Sequence, residues 1–375
     1  MTHTTSNPLL LTRPKASDER RGRFFDKAPF LVIWEVTRAC DLVCRHCRAS
    51  AQPQRHPHEL TTEEGYALEK EVRRFGRPLF VLTGGDPLKR EDLFDLIAYA
   101  HDIGLRVSLS PSGTPLLTSD ALARARDAGA EAVSISIDGA SSETHDAFRG
   151  VPGSFRWCVE GAKAATRLGL DLQVNTTVTR HNVGELSNIL SLVEVLGAKR
   201  WSVFFLVPTG RGELRDEISP EQYERVLNWL YEASHHVSFR IKTTEAQHYR
   251  RVTLQRLSSE TGVSIADLLQ ESSSGKGRFL PGINSGKGFV FISHTGDIYP
   301  SGFLPMKAGN VRHDSLVEIY RNHPLFVGLR DPNRLTGRCG RCEFRAICGG
   351  SRARAYAVSG DVFAEDPFCQ YQPSQ

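Results

Sequence analysis

The chain has 375 residues, 40% hydrophobic and 24% charged, with a formal net charge of +4. That length suits one large α/β domain plus a smaller one, and so mild and scattered a basic excess suits acidic small molecules and argues against nucleic acid as a partner. No apolar run reaches the eighteen or so residues of a membrane span, and the polar N-terminus carries no secretory pattern, so no membrane association and a cytoplasmic location are expected.

Residues 1–28, with Arg20, Arg21 and Arg23, read as an irregular N-terminal arm. From residue 29 to about 235 a βα rhythm repeats. Strand candidates lie at 30–36, 79–83, 106–109, 132–137, 172–177 and 201–207, with helical patterns at 62–75, 91–103, 119–128, 154–168, 183–196 and 220–234. Thr61 or Thr62 ahead of Glu64 opens the first helix, and Pro220 suits the first turn of the last. Six parallel units fall short of the eight of a closed barrel. The fold class is therefore α/β, a partial (β/α)6 TIM-type barrel, with its chemistry at the C-terminal ends of the strands. The connecting region, 236–285, holds a strand-like start, a helix near 247–257 and a Ser/Gly-rich stretch at 272–277 that reads as a mobile loop or linker. A small C-terminal domain, 286–375, opens with a hairpin (289–293 and 298–299) and closes in a segment rich in Cys, Gly and Arg and poor in apolar residues.

The chemistry-bearing residues fall at strand ends. Cys40, Cys44 and Cys47 follow the first strand in C-x3-C-x2-C spacing, Gly84, Gly85 and Asp86 the second, and Ser112 the third; Ser136 and Asp138 flank the end of the fourth, and Asn175 lies near the end of the fifth. Three thiolates on one short loop can hold three irons of a 4Fe–4S cube and leave the fourth open to a substrate or cofactor. Zinc with His46 is the alternative, but the adjacent His46 and Cys47 do not easily reach one tetrahedral ion. A second group, Cys339, Cys342, Cys348 and Cys369 in C-x2-C-x5-C-x20-C spacing, suits an all-cysteine zinc site or a complete 4Fe–4S cube about equally. Cysteines in a cytoplasmic chain read as metal ligands before disulfides. Cys158, alone in a helical pattern, reads as a core cysteine.

The cysteine motif after strand one, followed by GGDP after strand two, resembles the radical S-adenosylmethionine (SAM) superfamily, whose usual second motif is GGEP; Asp86 keeps the carboxylate. The resemblance implies that SAM chelates the open iron, that the reduced cluster donates an electron which breaks the S–C5′ bond, and that the resulting 5′-deoxyadenosyl radical takes a hydrogen atom from substrate. It assigns cluster ligation to Cys40, Cys44 and Cys47, close backbone approach to SAM to Gly84 and Gly85, and acceptance of a hydrogen bond from the SAM amino group to Asp86. It assigns ribose or methionine contacts to Ser112, Ser136, Asp138 and Asn175, and makes Arg149 a candidate partner of the SAM carboxylate.

The C-terminal stretch CGRCEFRAICGGSRARAYAVSGD, ending in DPFC, resembles the SPASM/twitch extension of radical SAM maturases, which tips the second cysteine group toward one auxiliary 4Fe–4S cluster that transfers electrons or braces the domain. A full SPASM domain carries two clusters; here serine stands at 301 and 351 and no cysteine occurs near 283–284, so one auxiliary cluster is expected, with ligation of a second by Ser301 the alternative. The stretches ISHTGDIYPSGFLP, LVPTGRG and CGGSRARAYA most resemble the heme-pathway branch of that family, whose substrates are polycarboxylate tetrapyrroles. The expected activity is thus that of a radical SAM oxidoreductase acting on a carboxylated tetrapyrrole, with Arg211, Arg215, Arg352 and Arg354 as candidate partners for its carboxylates, a solvated surface position being the plainer reading of each, and ferredoxin or flavodoxin as the low-potential electron donor. The rival is modification of a ribosomally made peptide; such enzymes usually carry an N-terminal precursor-binding domain, for which residues 1–28 are too short. A non-catalytic iron–sulfur electron carrier is the third reading, and an electron carrier needs no open iron. His145 and Tyr299 are further candidates for proton or electron transfer, with a structural role as the plainer reading of each.

Overall fold

The computed structural model describes residues 24–274 and 282–373. Most of the expected N-terminal arm, with Arg20, Arg21 and Arg23, and residues 275–277 of the expected linker lie outside the described residues.

All six expected strands form: Leu31–Glu35 (β1), Leu79–Thr83 (β2), Arg106–Leu109 (β3), Ala130–Ser136 (β4), Asp171–Val178 (β5) and Arg200–Phe205 (β6). They pair in parallel and in chain order. The sheet then continues at both edges beyond the six units expected. Arg240–Thr244 (β7) adds to β6, and Phe289–Ile292 (β8) adds in parallel to β1, Leu31 opposite Phe289. Asp297–Tyr299 (β9) and Gly309–Asn310 (β10) extend that edge antiparallel, giving the order β10-β9-β8-β1-β2-β3-β4-β5-β6-β7. The strand β8 thus fuses the C-terminal hairpin to the barrel, through Gly288, whose carbonyl accepts from the amides of Phe30 and Leu31.

Alternation along the strands explains the layers. In β5, Leu172, Val174, Thr176 and Val178 are buried against helices while Gln173, Asn175 and Thr177 face the half-open interior. One core packs β4–β7 against their helices around Trp201, Tyr223 and Leu227; a second gathers Trp34, Phe80 and Leu96 with the C-terminal Tyr320 and Phe326. Helix starts follow the capping signals: Thr61 and Glu64 form a capping box at Thr62–Arg73, and Ser219 and Gln222 another at Pro220–Ala233. Several helices were not anticipated, among them Leu316–Asn322, Pro324–Arg330 and Arg352–Ser359 in the C-terminal region. Ser142–Arg149 is a single short helix between the Ser141 cap and Gly150, whose φ is +74°. Ile265–Ser274 takes up the first residues of the stretch read as a linker. Among the described residues, no helix is long and apolar enough to cross a membrane.

Candidate active site

The loop carrying Cys40, Cys44 and Cys47 leaves β1 at its C-terminal end and is clamped from three directions. From β2, the amides of Gly85 and Asp86 donate to the carbonyls of Thr37 (2.8 Å) and Ala39 (2.6 Å). A Cβ at Gly84 would lie 2.7 Å from the Thr37 carbonyl oxygen, and one at Gly85 2.4 Å from that of Ala39. The two glycines therefore admit the cysteine loop itself, which is a different reason for glycine from the approach to SAM expected above. Asp86 is fully buried; its carboxylate accepts from Thr114 Oγ1 (2.6 Å) and from the amides of Leu88 (3.2 Å) and Ser112 (3.4 Å). Burial pushes that carboxyl up, against these hydrogen bonds. Its oxygens are engaged by the chain, so Asp86 ties β2 to β3 beneath the cysteine loop. Ser112 donates to the Gly85 carbonyl and sits 3.6 Å from Cys40 Sγ.

The second clamp is the unanticipated helix Ser142–Arg149 with Gly150. The Arg45 amide donates to the Phe148 carbonyl (3.1 Å), and the His46 ring stacks on Phe148 at 4.3 Å and 6°. Arg149 sits inside the molecule, its Nη1 3.8 Å from Cys44 Sγ, and forms an ion pair with the fully buried Asp138. Burial pushes the Asp138 carboxyl up, but the charges of Arg149 and then His46 outweigh it and hold it below the usual carboxylate range. Asp138 also accepts from the Thr177 amide at 2.6 Å. Burial pushes His46 down to about 3. His145 is core: its Nδ1 accepts from the Asp138 amide (3.1 Å), Nε2 lies 3.3 Å from Ser154 Oγ, and burial pushes it down to about 4. Ser136 and Asn175 face each other in register across β4 and β5, where Asn175 Oδ1 accepts from Gln173 at 2.8 Å.

The third clamp follows β6. The Arg211 amide donates to the Cys47 carbonyl (2.9 Å), and its guanidinium to the carbonyls of Cys44 (2.9 Å) and Ala51 (3.0 Å). Arg211 thus holds the cysteine loop through Nε and Nη1, while its buried Nη2 has no partner within the chain. Arg215 is exposed and paired with Glu213 at 2.6 Å.

All four C-terminal cysteines line one cavity, together with His248, Arg251, Arg338, Arg345 and Asp366. Three arginines at the walls offset the charge that gathered thiolates would carry. Arg352 and Arg354 are buried braces, contrary to expectation. Arg352 donates to the carbonyls of Val362 (3.0 Å) and Ala364 (2.6 Å), and Arg354 to those of Leu206 (3.0 Å) and Glu245 (2.7 Å), with Asp366 and Glu217 as its ion partners. Ser301 and Ser351 both hydrogen-bond Glu245, which engages the two serines with one carboxylate away from the four thiols. Tyr299 is half-buried and its ring lies 6.3 Å from that of Phe291.

The sulfurs of both motifs are each reached by N–H donors. Cys40 and Cys47 accept from the amides of Leu42 and Ala51 (both 3.4 Å), and Cys44 from Arg149. Cys339 and Cys348 accept from the amides of Asp366 and Gly350 (both 3.5 Å), and Cys342 and Cys369 from those of Phe344 and Tyr371. Metal-bound thiolates receive such donors. As thiols, Cys40 donates to Ser112 Oγ at 3.6 Å and Cys158, buried in the core as expected, to the Ser136 carbonyl at 3.3 Å. Among the described residues, no three His, Cys, Asp or Glu side chains converge as ligands of a single metal ion do.

One buried group escaped the sequence. Glu35, at the end of β1, meets Arg48 Nη1 at 3.0 Å and His294 Nδ1 at 2.9 Å, while the Arg48 guanidinium lies 4.4 Å above the Phe291 ring. It joins the cysteine loop to the C-terminal hairpin across 259 positions of sequence, a separation at which no local pattern signals contact.

Residues 34–193 match the family model of the Radical SAM superfamily. The chain is 42% identical over 348 residues to the AdoMet-dependent heme synthase of Methanosarcina barkeri, covering 93% of this chain and 98% of that relative. It is 32% identical over 356 residues to a mycofactocin maturase of Mycobacterium ulcerans, covering 91% of this chain and 88% of that one. The crystal structure of Streptococcus suis SuiB bound to S-adenosylmethionine superposes with a TM-score of 0.67 at 15% identity, covering 92% of this chain and 78% of the other, a likeness of fold.

Proposed function

The chain belongs to the radical SAM superfamily, and from that premise we propose that Cys40, Cys44 and Cys47 hold its 4Fe–4S cluster, that Cys339, Cys342, Cys348 and Cys369 hold one auxiliary 4Fe–4S cluster, and that its substrate is a carboxylated tetrapyrrole. Membership makes it an enzyme that uses SAM and a 4Fe–4S cluster. When bound, these supply the electron that cleaves SAM and the 5′-deoxyadenosyl radical that abstracts hydrogen from substrate.

The chain's own residues hold the site in place. Gly84, Gly85 and Asp86 support the first half of the cysteine loop, and Arg211 ties down the carbonyls of its second half. Arg149 gives Cys44 an N–H donor and sits against Asp138, so a charge beside the sulfur is compensated within the fold. His46 packed flat on Phe148 closes this side to water. The observation that carries the cluster assignment is the grouping of the sulfurs: Cys339, Cys342, Cys348 and Cys369 line one cavity, Cys40, Cys44 and Cys47 share one clamped loop, and each of the seven is reached by an N–H donor.

Support for the tetrapyrrole comes from likeness, since three of the four arginines expected to pair its carboxylates are internal braces. The relative named a heme synthase shares 42% of residues over nearly all of both chains, and the maturase 32%; this ordering favours a tetrapyrrole over a peptide. A ferredoxin or flavodoxin donor and a cytoplasmic setting belong to the same proposal.

The test is anaerobic reconstitution, reduction, and quantification of 5′-deoxyadenosine and methionine, with an iron porphyrin bearing propionates and, separately, a precursor peptide. With a one-electron acceptor present, the porphyrin is expected to lose carboxyl groups as carbon dioxide with stoichiometric 5′-deoxyadenosine, the electron released with each carbon dioxide passing to that acceptor. Turnover of the peptide alone would transfer the enzyme to the rival class, and absence of SAM cleavage would remove it from both. Cys40→Ala, Cys44→Ala or Cys47→Ala is expected to abolish cleavage and lower iron by one cube while the C-terminal cluster persists.

A further inference from the structure

His248 opens the helix His248–Thr261, a few residues beyond the end of β7, and only 1% of it is exposed. It lines the four-cysteine cavity. Its Nε2 lies 3.3 Å from Asp366 Oδ2, and the ring is within hydrogen-bonding reach of the Cys369 thiol. Yet neither ring nitrogen completes a well-formed hydrogen bond within the chain. A buried imidazole with both nitrogens still to be satisfied, set in the wall of a cavity, points to a partner inside that cavity.

The ring is held from behind. Asp366 is fully buried, three positions before Cys369, and accepts from the amides of Ser351 (2.7 Å) and Phe368 (3.1 Å) while pairing with Arg354 at 3.2 Å. Arg354 is anchored on the carbonyls of Leu206 and Glu245, just past the ends of β6 and β7. Tyr223 meets the His248 ring edge-on, with centroids 6.4 Å apart at 86°. Histidine, carboxylate and arginine thus form a buried line from the cavity to the mouth of the barrel. Cys348 receives a backbone amide, a donor that no side-chain substitution can remove, and Cys339 receives one together with Arg352 Nη2 at 3.8 Å, a guanidinium that also braces the carbonyls of Val362 and Ala364. Cys369 has the His248 ring in reach, so its environment can be changed without touching a ligand or that brace.

We propose that His248, oriented by Asp366, donates a ring N–H to the Cys369 sulfur and thereby raises the reduction potential of the auxiliary cluster. Hydrogen bonds to cluster sulfurs stabilise the extra negative charge of the reduced state and move the potential upward. A carboxylate behind a histidine fixes which ring atom faces the metal site, as outer partners do around ligating residues. Asp366 is a positioning residue, and His248 acts on the cluster through Cys369. The inference rests on the assignment of the auxiliary cluster to the four C-terminal cysteines.

The experiment is a redox titration of the anaerobically reconstituted holoenzyme, read by electron paramagnetic resonance. The auxiliary signal is identified as the one that SAM leaves unchanged. His248→Leu is expected to keep its iron and to shift the auxiliary potential to more negative values, leaving that of the SAM-binding cluster in place. His248→Gln, which retains an N–H of similar reach, is expected to return the potential toward that of the parent. An unchanged auxiliary potential in His248→Leu at full iron content overturns the proposal. Where His248→Leu sheds iron, Asp366→Asn decides: a lowered potential supports the role of the pair, and an unchanged one overturns it. Failure of the underlying assignment looks different, because the parent enzyme itself would then bind iron for one cluster only.

Discussion

Gly85→Ala places a methyl group 2.4 Å from the Ala39 carbonyl oxygen and 2.6 Å from that of Arg38. Both are backbone atoms, so no rotamer change relieves the clash, and the two segments must part by roughly 1 Å to reach ordinary contact. Parting them breaks the hydrogen bonds from Gly85 to Thr37 and from Asp86 to Ala39. Overpacking of this kind costs about 1–3 kcal/mol and each lost hydrogen bond about 0.5–1.5 kcal/mol. The loop that moves carries Cys40, and a misplacement near 1 Å is worth roughly a hundredfold in rate. Gly85→Ala is therefore expected to lower the melting temperature and to cut 5′-deoxyadenosine formation about a hundredfold, with partial loss of iron from the first cluster. Gly184→Ala serves as the control, because nothing lies within 4 Å of a Cβ built there. A Gly85→Ala protein that melts and cleaves SAM like the parent would refute the reading that these glycines exist for the cysteine loop.

Three further outcomes are expected. Arg149→Met leaves the buried Asp138 carboxylate without its cation; breaking a buried pair from one side costs about 3–5 kcal/mol, visible as a lower denaturation midpoint, and Asp138→Asn in the same chain should recover part of it. Cys158→Ala should retain the iron of both clusters and full SAM cleavage, at a cost of about 1 kcal/mol; loss of one cluster's iron would show that this thiol is a ligand after all. Glu69 is buried in the core with neither carboxyl oxygen hydrogen-bonded, and burial pushes it up to about 9 from 4.5, with Arg90 opposing. Because its folded value is raised, its contribution to stability is complete below about 4.5 and is lost as pH rises toward about 9. Glu69→Gln should thus gain on the parent by up to about 1.4 kcal/mol per pH unit across that window, and equal differences in urea unfolding at pH 5.5 and 8.5 would contradict this.

Much of the fold was legible because its signals are local. Most of the expected barrel strands are short runs rich in apolar residues, and Thr61, Thr118 and Ser219 cap the helices Thr62–Arg73, Ser119–Asp127 and Pro220–Ala233 from their own sequence. The partner of β8 was not legible: Phe289–Ile292 reads correctly as a strand, but its pairing with β1 is settled by Gly288 and by Tyr320 and Phe326 filling the same core as Trp34. The helix Ser142–Arg149 had its signals in Ser141 and Gly150, yet at eight residues it offers barely two turns of periodicity. In the site, cysteine identity and spacing were readable. The roles of the arginines were not, since an arginine in a loop has no pattern to say whether it faces water or a carbonyl. Arg211 and Arg354 cap carbonyls of segments remote in sequence, and Arg352 those of the loop just beyond its own helix.

Those arginines separate the two cysteine sites physically. The first site is a loop laid on the end of a parallel sheet and gripped by segments that follow β2, β4 and β6, so its geometry is imposed by the barrel whether or not a metal is bound. The second is a cavity walled by Cys339–Cys348, the stretch around Cys369, and His248 and Arg251, backed by two small satellite cores: Leu304, Leu329, Ala353 and Val362 beside Val207, and Phe344 with Leu254 and Leu268. Cores this small leave that region dependent on what its thiols hold. Removal of iron should therefore act unequally. Chelation of the holoenzyme is expected to leave the protease resistance of the barrel intact while exposing the chain beyond about residue 335, which carries the four thiols of the cavity. Equal protection of both regions in limited proteolysis after chelation would show that the buried line through His248, Asp366 and Arg354 alone suffices to hold the C-terminal segment on the barrel.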